Sequence, residues 1–321
     1  MEIPTLHVVF GAGQIGPPLA RRLREHGHPV RLVRRSAATA PPGIEAVAGD
    51  AGDPVFAAEV TRGATTIYHC MNPEYSTAVW ARELPRLMTS LIEAASRNGA
   101  RLVVLDNLYM FGRMGGKPMR EDTPNAPCSR KGEIRAAVAE TWARAHREGR
   151  VRVACGRACD YYGPGGLQTH FGEMFWRRVL KGRSGQMVVP LDTPHTFHLT
   201  TDVAAGLATL GVASDEDFGR WWMLPAAPAL TVRALIAEFG QALGRDIKSE
   251  RVPGFVLSAM GLFMPFLREL PEMRYQWDEP YLIDDSRFRA RFGVKPTPIA
   301  DGARATVAWA KQAFGAVGQM P

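Results

Sequence analysis

Thr5-Leu6-His7-Val8-Val9-Phe10-Gly11-Ala12-Gly13-Gln14-Ile15-Gly16 is the stretch that decides the fold. Residues 5–10 form a short apolar run of buried-strand length, and residues 14–25 carry apolar positions at helical spacing. Between them, residues 11–16 read G-x-G-x-x-G. In that pattern Gly11 permits the tight turn, Gly13 lets backbone approach a pyrophosphate, and Gly16 lets the helix pack closely on the strand. The helix start, with Gln14 and Ile15, offers N–H groups and the positive end of its dipole to the anion. A bare glycine turn is the rival reading. Strand, loop and helix stand where a dinucleotide cradle needs them.

The pattern repeats outward. Strands are expected at 29–33, 44–47, 65–69, 101–105 and 151–155, with helices at 54–62, 78–97 and 133–147. Asn98-Gly99 is a helix stop. This alternation predicts an α/β fold, a doubly wound parallel sheet of the Rossmann type with a smaller C-terminal substrate lobe. The dinucleotide-binding domain is expected over 1–165, re-entered near 195–215, and the lobe over most of 166–321. Past residue 163 turn signals multiply (Gly163-Pro164-Gly165-Gly166, Gly182 to Gly185), and no internal repeat is visible.

Composition narrows the class. Of 321 residues 46% are apolar and 22% charged, ordinary for a globular protein. No apolar run reaches the roughly eighteen residues of a membrane helix, and the N-terminus lacks a signal peptide's basic and apolar regions. Cys70, Cys128, Cys155 and Cys159 show no CxxC spacing, so no disulfide framework and a cytoplasmic location are expected. The net charge of +7 is scattered without an aromatic-interleaved strip, which argues against nucleic acid. A small-molecule substrate remains as the partner.

The end of the second strand bears on the cofactor. An acidic residue there suits the ribose 2′-hydroxyl of NAD, whereas arginine suits the 2′-phosphate of NADP. Val33 is followed by Arg34 and Arg35, so NADP(H) is expected, with NAD as the alternative. Two merely solvated arginines are the rival reading.

The chain is similar to the extended short-chain dehydrogenase/reductases, the NAD-dependent epimerase/dehydratase family, over nearly its whole length. Gly49-Asp50-Ala51-Gly52-Asp53 resembles the family's segment after the third strand, which implies that Asp50 contacts adenine. His69-Cys70-Met71-Asn72 resembles the motif closing the fourth strand, placing Asn72 beside the cofactor. Tyr161-Tyr162-Gly163-Pro164-Gly165 is similar to the family's Tyr-Gly-Pro-Gly turn, residues 197–204 to the segment returning to the sheet, and Asp284-Asp285-Ser286-Arg287 leading to Trp309 to its finish.

The catalytic signature departs from the family's. No Tyr-x-x-x-Lys occurs in the chain. Aligning the helix through Glu140 puts Lys131 at the Tyr position and Arg135 at the Lys position; a register shift would instead make Lys131 the family's Lys. Asn107 stands where the family's Ser is expected. The resemblance implies that Arg135 holds the nicotinamide ribose. Lys131, four residues earlier on the same helix face, would have its basicity lowered by a neighbouring arginine and serve as acid, base or imine-former. Asn107 would donate its amide to a substrate oxygen, and Tyr109 would supply a phenol. The plainer readings are an exposed lysine, a loop-capping asparagine and a packed tyrosine. His170, His195 and His198 lie at no metal-like spacing, so no metal is expected.

Residues 255–267 (FVLSAMGLFMPFL) are apolar and too short for a bilayer. They suit a core helix, a wall of a substrate pocket or a face meeting a second subunit in a homodimer. The leading expectation is an NADP(H)-dependent oxidoreductase acting on a small or medium carbonyl-type substrate. The alternatives are a nucleotide-sugar epimerase/dehydratase and a catalytically silent NAD(P)-binding regulator.

Overall fold

The structure is a computed structural model and describes residues 5–36, 40–253 and 265–315. Strand β1 (Leu6–Phe10) leads into helix α1 (Gly16–Glu25), followed by β2 (Val30–Arg34), β3 (Glu45–Ala48), α2 (Pro54–Val60), β4 (Ala64–His69), α3 (Thr77–Asn98), β5 (Arg101–Asp106), α4 (Arg130–Arg147) and β6 (Val153–Arg157). These strands and an edge strand, Trp221–Met223, form one seven-stranded parallel sheet. Its order is β3-β2-β1-β4-β5-β6-edge.

Successive side chains of a strand face opposite sides of the sheet. Val8 and Phe10 accordingly enter one core with residues of α2, α3 and α4, such as Leu84, Leu91 and Trp142. Val9 enters the other with Leu19 and Leu23 of α1 and Leu207 of α6 (Thr200–Val212). Both faces are covered, which is why β1 and β5 read as largely apolar runs. The expected doubly wound sheet is what forms. The chain returns to it at α6 and again at the edge strand. A third core, rich in Phe and Trp, joins α5 (Glu173–Leu180), α7 (Val232–Leu243) and the helix Ile299–Phe314.

Helix α4 starts at 130, ahead of the expected 133. Ser129 caps it, its Oγ accepting from the Gly132 N–H at 3.1 Å. The apolar stretch 255–267 lies outside the described residues except for its end. Among the described residues no helix is long and apolar enough to cross a membrane.

The chain runs outward from β1 in both directions, so β1 and β4 are neighbours at the point where strand order reverses. Phe10 pairs with His69 there, and the Cys70 N–H donates to the Phe10 carbonyl at 2.8 Å. In such sheets ligands sit in the crevice beyond the carboxyl ends of the strands at this point.

Candidate active site

The glycine loop opens into that crevice. Gly11 has φ +110°, and a Cβ on it would lie 2.7 Å from the Cys70 carbonyl oxygen; a Cβ on Gly16 would lie 1.7 Å from the Gly11 carbonyl oxygen. A Cβ on Gly13 would meet nothing within 4 Å. The first and third glycines are thus required by the protein's own packing, and the second leaves open space. Helix α1 has Pro17 and Pro18 at its first positions and no side-chain cap. Since proline has no N–H, the donors at this helix start come from the loop and from Gly16 itself. The Gln14 Oε1 is buried without a partner among the described residues. An open cradle and an unpaired acceptor fit a dinucleotide.

Arg34 and Arg35 are exposed where β2 ends, and Arg34 Nη2 lies 3.4 Å from Ser36 Oγ. Asp50, at the end of β3, accepts from the Gly52 N–H and is gripped by Arg86 at 3.0 and 3.2 Å. The hydrogen bond from Arg86 holds its carboxyl below the usual value.

Arg135 is buried at the carboxyl ends of β4 and β5. Its Nη2 donates to Asn72 Oδ1 at 2.6 Å, its Nη1 to Asp106 Oδ1 at 3.1 Å, and its guanidinium lies 4.5 Å above the Trp80 ring. Its Nε has no partner among the described residues. Arg135 and Asn72, set apart by 63 positions, are brought together as the cofactor reading requires. Burial and the charge of Arg135 push the nearby His69 imidazole down to about 3.

Lys131 corrects two expectations. It is not a surface lysine, since none of its side chain is exposed. Nor does its head lie against Arg135, whose guanidinium goes to Asn72 and Asp106. Its Nζ lies between Glu269 and Glu272, donates to Thr77 Oγ1 at 2.8 Å and sits 4.8 Å over the Tyr75 ring. Lys131 and Arg135 share a helix face, but their heads diverge to different carboxylates. Burial opposes it, yet the hydrogen bonds from Lys131 and Thr77 hold the Glu269 carboxyl below its ordinary value.

Asn107 accepts the Tyr109 N–H on its Oδ1 at 3.1 Å, so half of its amide does serve the loop. The half-buried Tyr109 stacks on Trp80 at 6.0 Å between centroids. Desolvation pushes its hydroxyl well above the ordinary range.

Several residues went unforeseen. Asp106, which anchors Arg135, also lies 4.0 Å from the buried Arg157. Asp160 follows β6 and takes a hydrogen bond from His195 Nε2 at 2.8 Å, with His170 Nε2 at 3.8 Å. Against a burial that would raise it, the bond from His195 and the charges of both imidazoles keep the Asp160 carboxyl low. The available signal was positional: a polar residue at or just past the end of a parallel strand, as for Asp106 and Asp160. No spacing rule connects His170 to His195 or Lys131 to Glu269.

The fold and this crevice define a dinucleotide-binding, doubly wound α/β enzyme. The model of the NAD dependent epimerase/dehydratase family matches residues 7–217, and the chain belongs to that family. In sequence, no curated protein matches it. Among solved structures it is similar to the NAD complex of UDP-glucuronic acid 4-epimerase from Bacillus cereus (TM-score 0.75, 13% identity, covering 97% of this chain and 100% of that one). It is also similar to DesIV, the dTDP-glucose 4,6-dehydratase of Streptomyces venezuelae (0.77, 20%, 97% and 98%). The Bordetella bronchiseptica enzyme WbmH in complex with NAD+ is a third such structure (0.73, 17%, 97% and 100%).

Proposed function

We propose that the chain is an NADP(H)-dependent oxidoreductase interconverting a hydroxyl and a carbonyl on a small or medium-sized substrate. The observation that carries this reading is the Arg135 guanidinium, anchored on Asp106 and Asn72 at the crevice, with a buried Nε that has no partner among the described residues. When bound, the dinucleotide supplies hydride exchange at its nicotinamide ring. Arg135 is suited to stand beside the ribose of that ring, and it is rigid because Trp80 and two acceptors hold it. Residues 11–16 would take the pyrophosphate, Asp50 would stand near the adenine, and Arg34 and Arg35 would meet the 2′-phosphate. Asn107 keeps its Nδ2 for a substrate oxygen, with Tyr109 beside it. Lys131, fixed between two glutamates, serves to hold residues 269–272 against α4. The lobe within 166–321 would enclose the substrate, and the protein would work in the cytoplasm, alone or as a homodimer.

Epimerisation or dehydration of a nucleotide sugar through transient oxidation is the second reading. It is supported by the family and by the substrates named for the B. cereus and S. venezuelae enzymes. The wild type should be assayed with both cofactors against aldehydes, ketones, UDP-glucuronic acid and dTDP-glucose. Net NADPH oxidation supports the first reading. An altered sugar with no net change in cofactor supports the second. Tight NADPH binding with no turnover on any of them makes the protein a regulator.

A further inference from the structure

With Tyr-x-x-x-Lys absent and Lys131 committed to two glutamates, the site's proton has no assigned carrier. Beyond β6, the Asp160 carboxylate is a quarter exposed and shared by two imidazoles. Trp277 fixes both: His195 stacks on it at 3.9 Å with 4° between planes, and His170 meets it edge-on at 4.9 Å. Exposure separates their roles. The His195 side chain is fully enclosed and its Nδ1 is unpartnered, whereas the His170 side chain is 20% exposed. The cluster adjoins the candidate active site: Tyr281 stacks on His195 at 5.0 Å and is buried with Cys159, the neighbour of Asp160, against Leu108 and Met110 on either side of Tyr109.

We propose that His170 is the proton-transferring residue of this enzyme, with Asp160 its positioning residue and His195 the strut beneath Asp160. The assignment rests on the oxidoreductase reading above. His170 Nε2 faces Asp160, which leaves Nδ1 to take the proton of the substrate O–H. The C–H electron pair departs as hydride to the oxidised nicotinamide dinucleotide, and the carbonyl forms. Reduction runs the same proton back from Nδ1 to the carbonyl oxygen. The Asp160 carboxylate balances the transient imidazolium, as the carboxylate of a carboxylate–imidazole pair does. The titratable groups that act electrostatically on His170 are Asp160 and His195; Asp160 in turn acts on Tyr75, Tyr109, Tyr161, Tyr281 and Cys159.

The test uses His170→Gln and Asp160→Asn in the full chain, with unchanged thermal unfolding as the check on folding. On whichever substrate the panel identifies, His170→Gln should lower kcat about a hundred- to ten-thousandfold while NADPH affinity holds. Asp160→Asn should move the acidic limb of the oxidation profile to lower pH, because an anion beside an imidazole favours its protonated form. The same downward move should appear in the His170 titration followed by NMR on 15N-histidine-labelled protein without substrate. Turnover by His170→Gln within threefold of wild type, with Tyr109→Phe or Tyr161→Phe inactive, overturns the proposal and leaves the oxidoreductase reading standing. If the wild type converts nothing, that reading falls. The pair is then judged on the titration: a midpoint unmoved by Asp160→Asn overturns it.

Discussion

On the proposed reading, Arg34 and Arg35 carry the choice of cofactor. Both are exposed where β2 ends, so each can reach a phosphate without breaking a buried contact. Two charge-assisted contacts amount to a ten- to hundredfold preference for NADPH over NADH, about 1.4–2.8 kcal/mol. Arg34→Asp should reverse or erase it in a binding titration, and equal affinity of the wild type for both cofactors counts against the assignment. Lys131 has a different consequence. Lys131→Ala strands Glu269 and Glu272 against α4, and breaking a buried pair costs about 3 kcal/mol at neutral pH. The Glu269 carboxyl is held low when folded, so this stability is present above the unfolded carboxyl's value and is lost as pH falls through the folded one. The gap between wild type and variant in urea unfolding should therefore shrink from pH 7 toward pH 4. A gap independent of pH would show that the ion pair is not its source.

At the scale of the strand–loop–helix element, two glycines three positions apart predict opposite phenotypes. A Cβ on Gly16 collides with the loop backbone at Gly11, so Gly16→Ala should lower Tm and abolish NADPH binding together. A Cβ on Gly13 points into open space, so Gly13→Ala should unfold like the wild type yet bind NADPH at least about tenfold more weakly, by filling the space a pyrophosphate needs. Calorimetry and a fluorescence titration of each variant settle the matter. Wild-type affinity in Gly13→Ala would mean that the loop cradles no pyrophosphate.

Across the whole molecule, buried imidazoles set the response to acid. Burial pushes His7 and His69 down to about 3 and His198 to about 4. An unfolded histidine takes a proton near pH 6.5, so below that pH the unfolded chain binds protons that the folded chain does not. Stability is therefore complete above about pH 6.5 and falls as pH drops toward 4, by up to about 1.4 kcal/mol per pH unit for each such histidine. Denaturant midpoints measured between pH 7 and pH 4.5 should decline steadily over that window. A flat profile down to pH 5 would mean these rings are solvated.

What the sequence by itself determined is local. The period of apolar residues, the glycines of residues 11–16 and the stop at Asn98-Gly99 act within one strand, turn or helix, so the sheet, its direction and the glycine loop between β1 and α1 were legible without coordinates. Ser129 moved a helix start by three residues, which a capping side chain can do within one turn. The tertiary structure decided which charges meet. Lys131 reads as a neighbour of Arg135 on a helix wheel, but its partners Glu269 and Glu272 arrive from about 140 positions away. His170 and His195, at no recognisable spacing, meet because Asp160 and Trp277 stand between them. The geometry of such pairs is fixed by how loops close over the carboxyl ends of the strands, and that closure leaves no period in the chain.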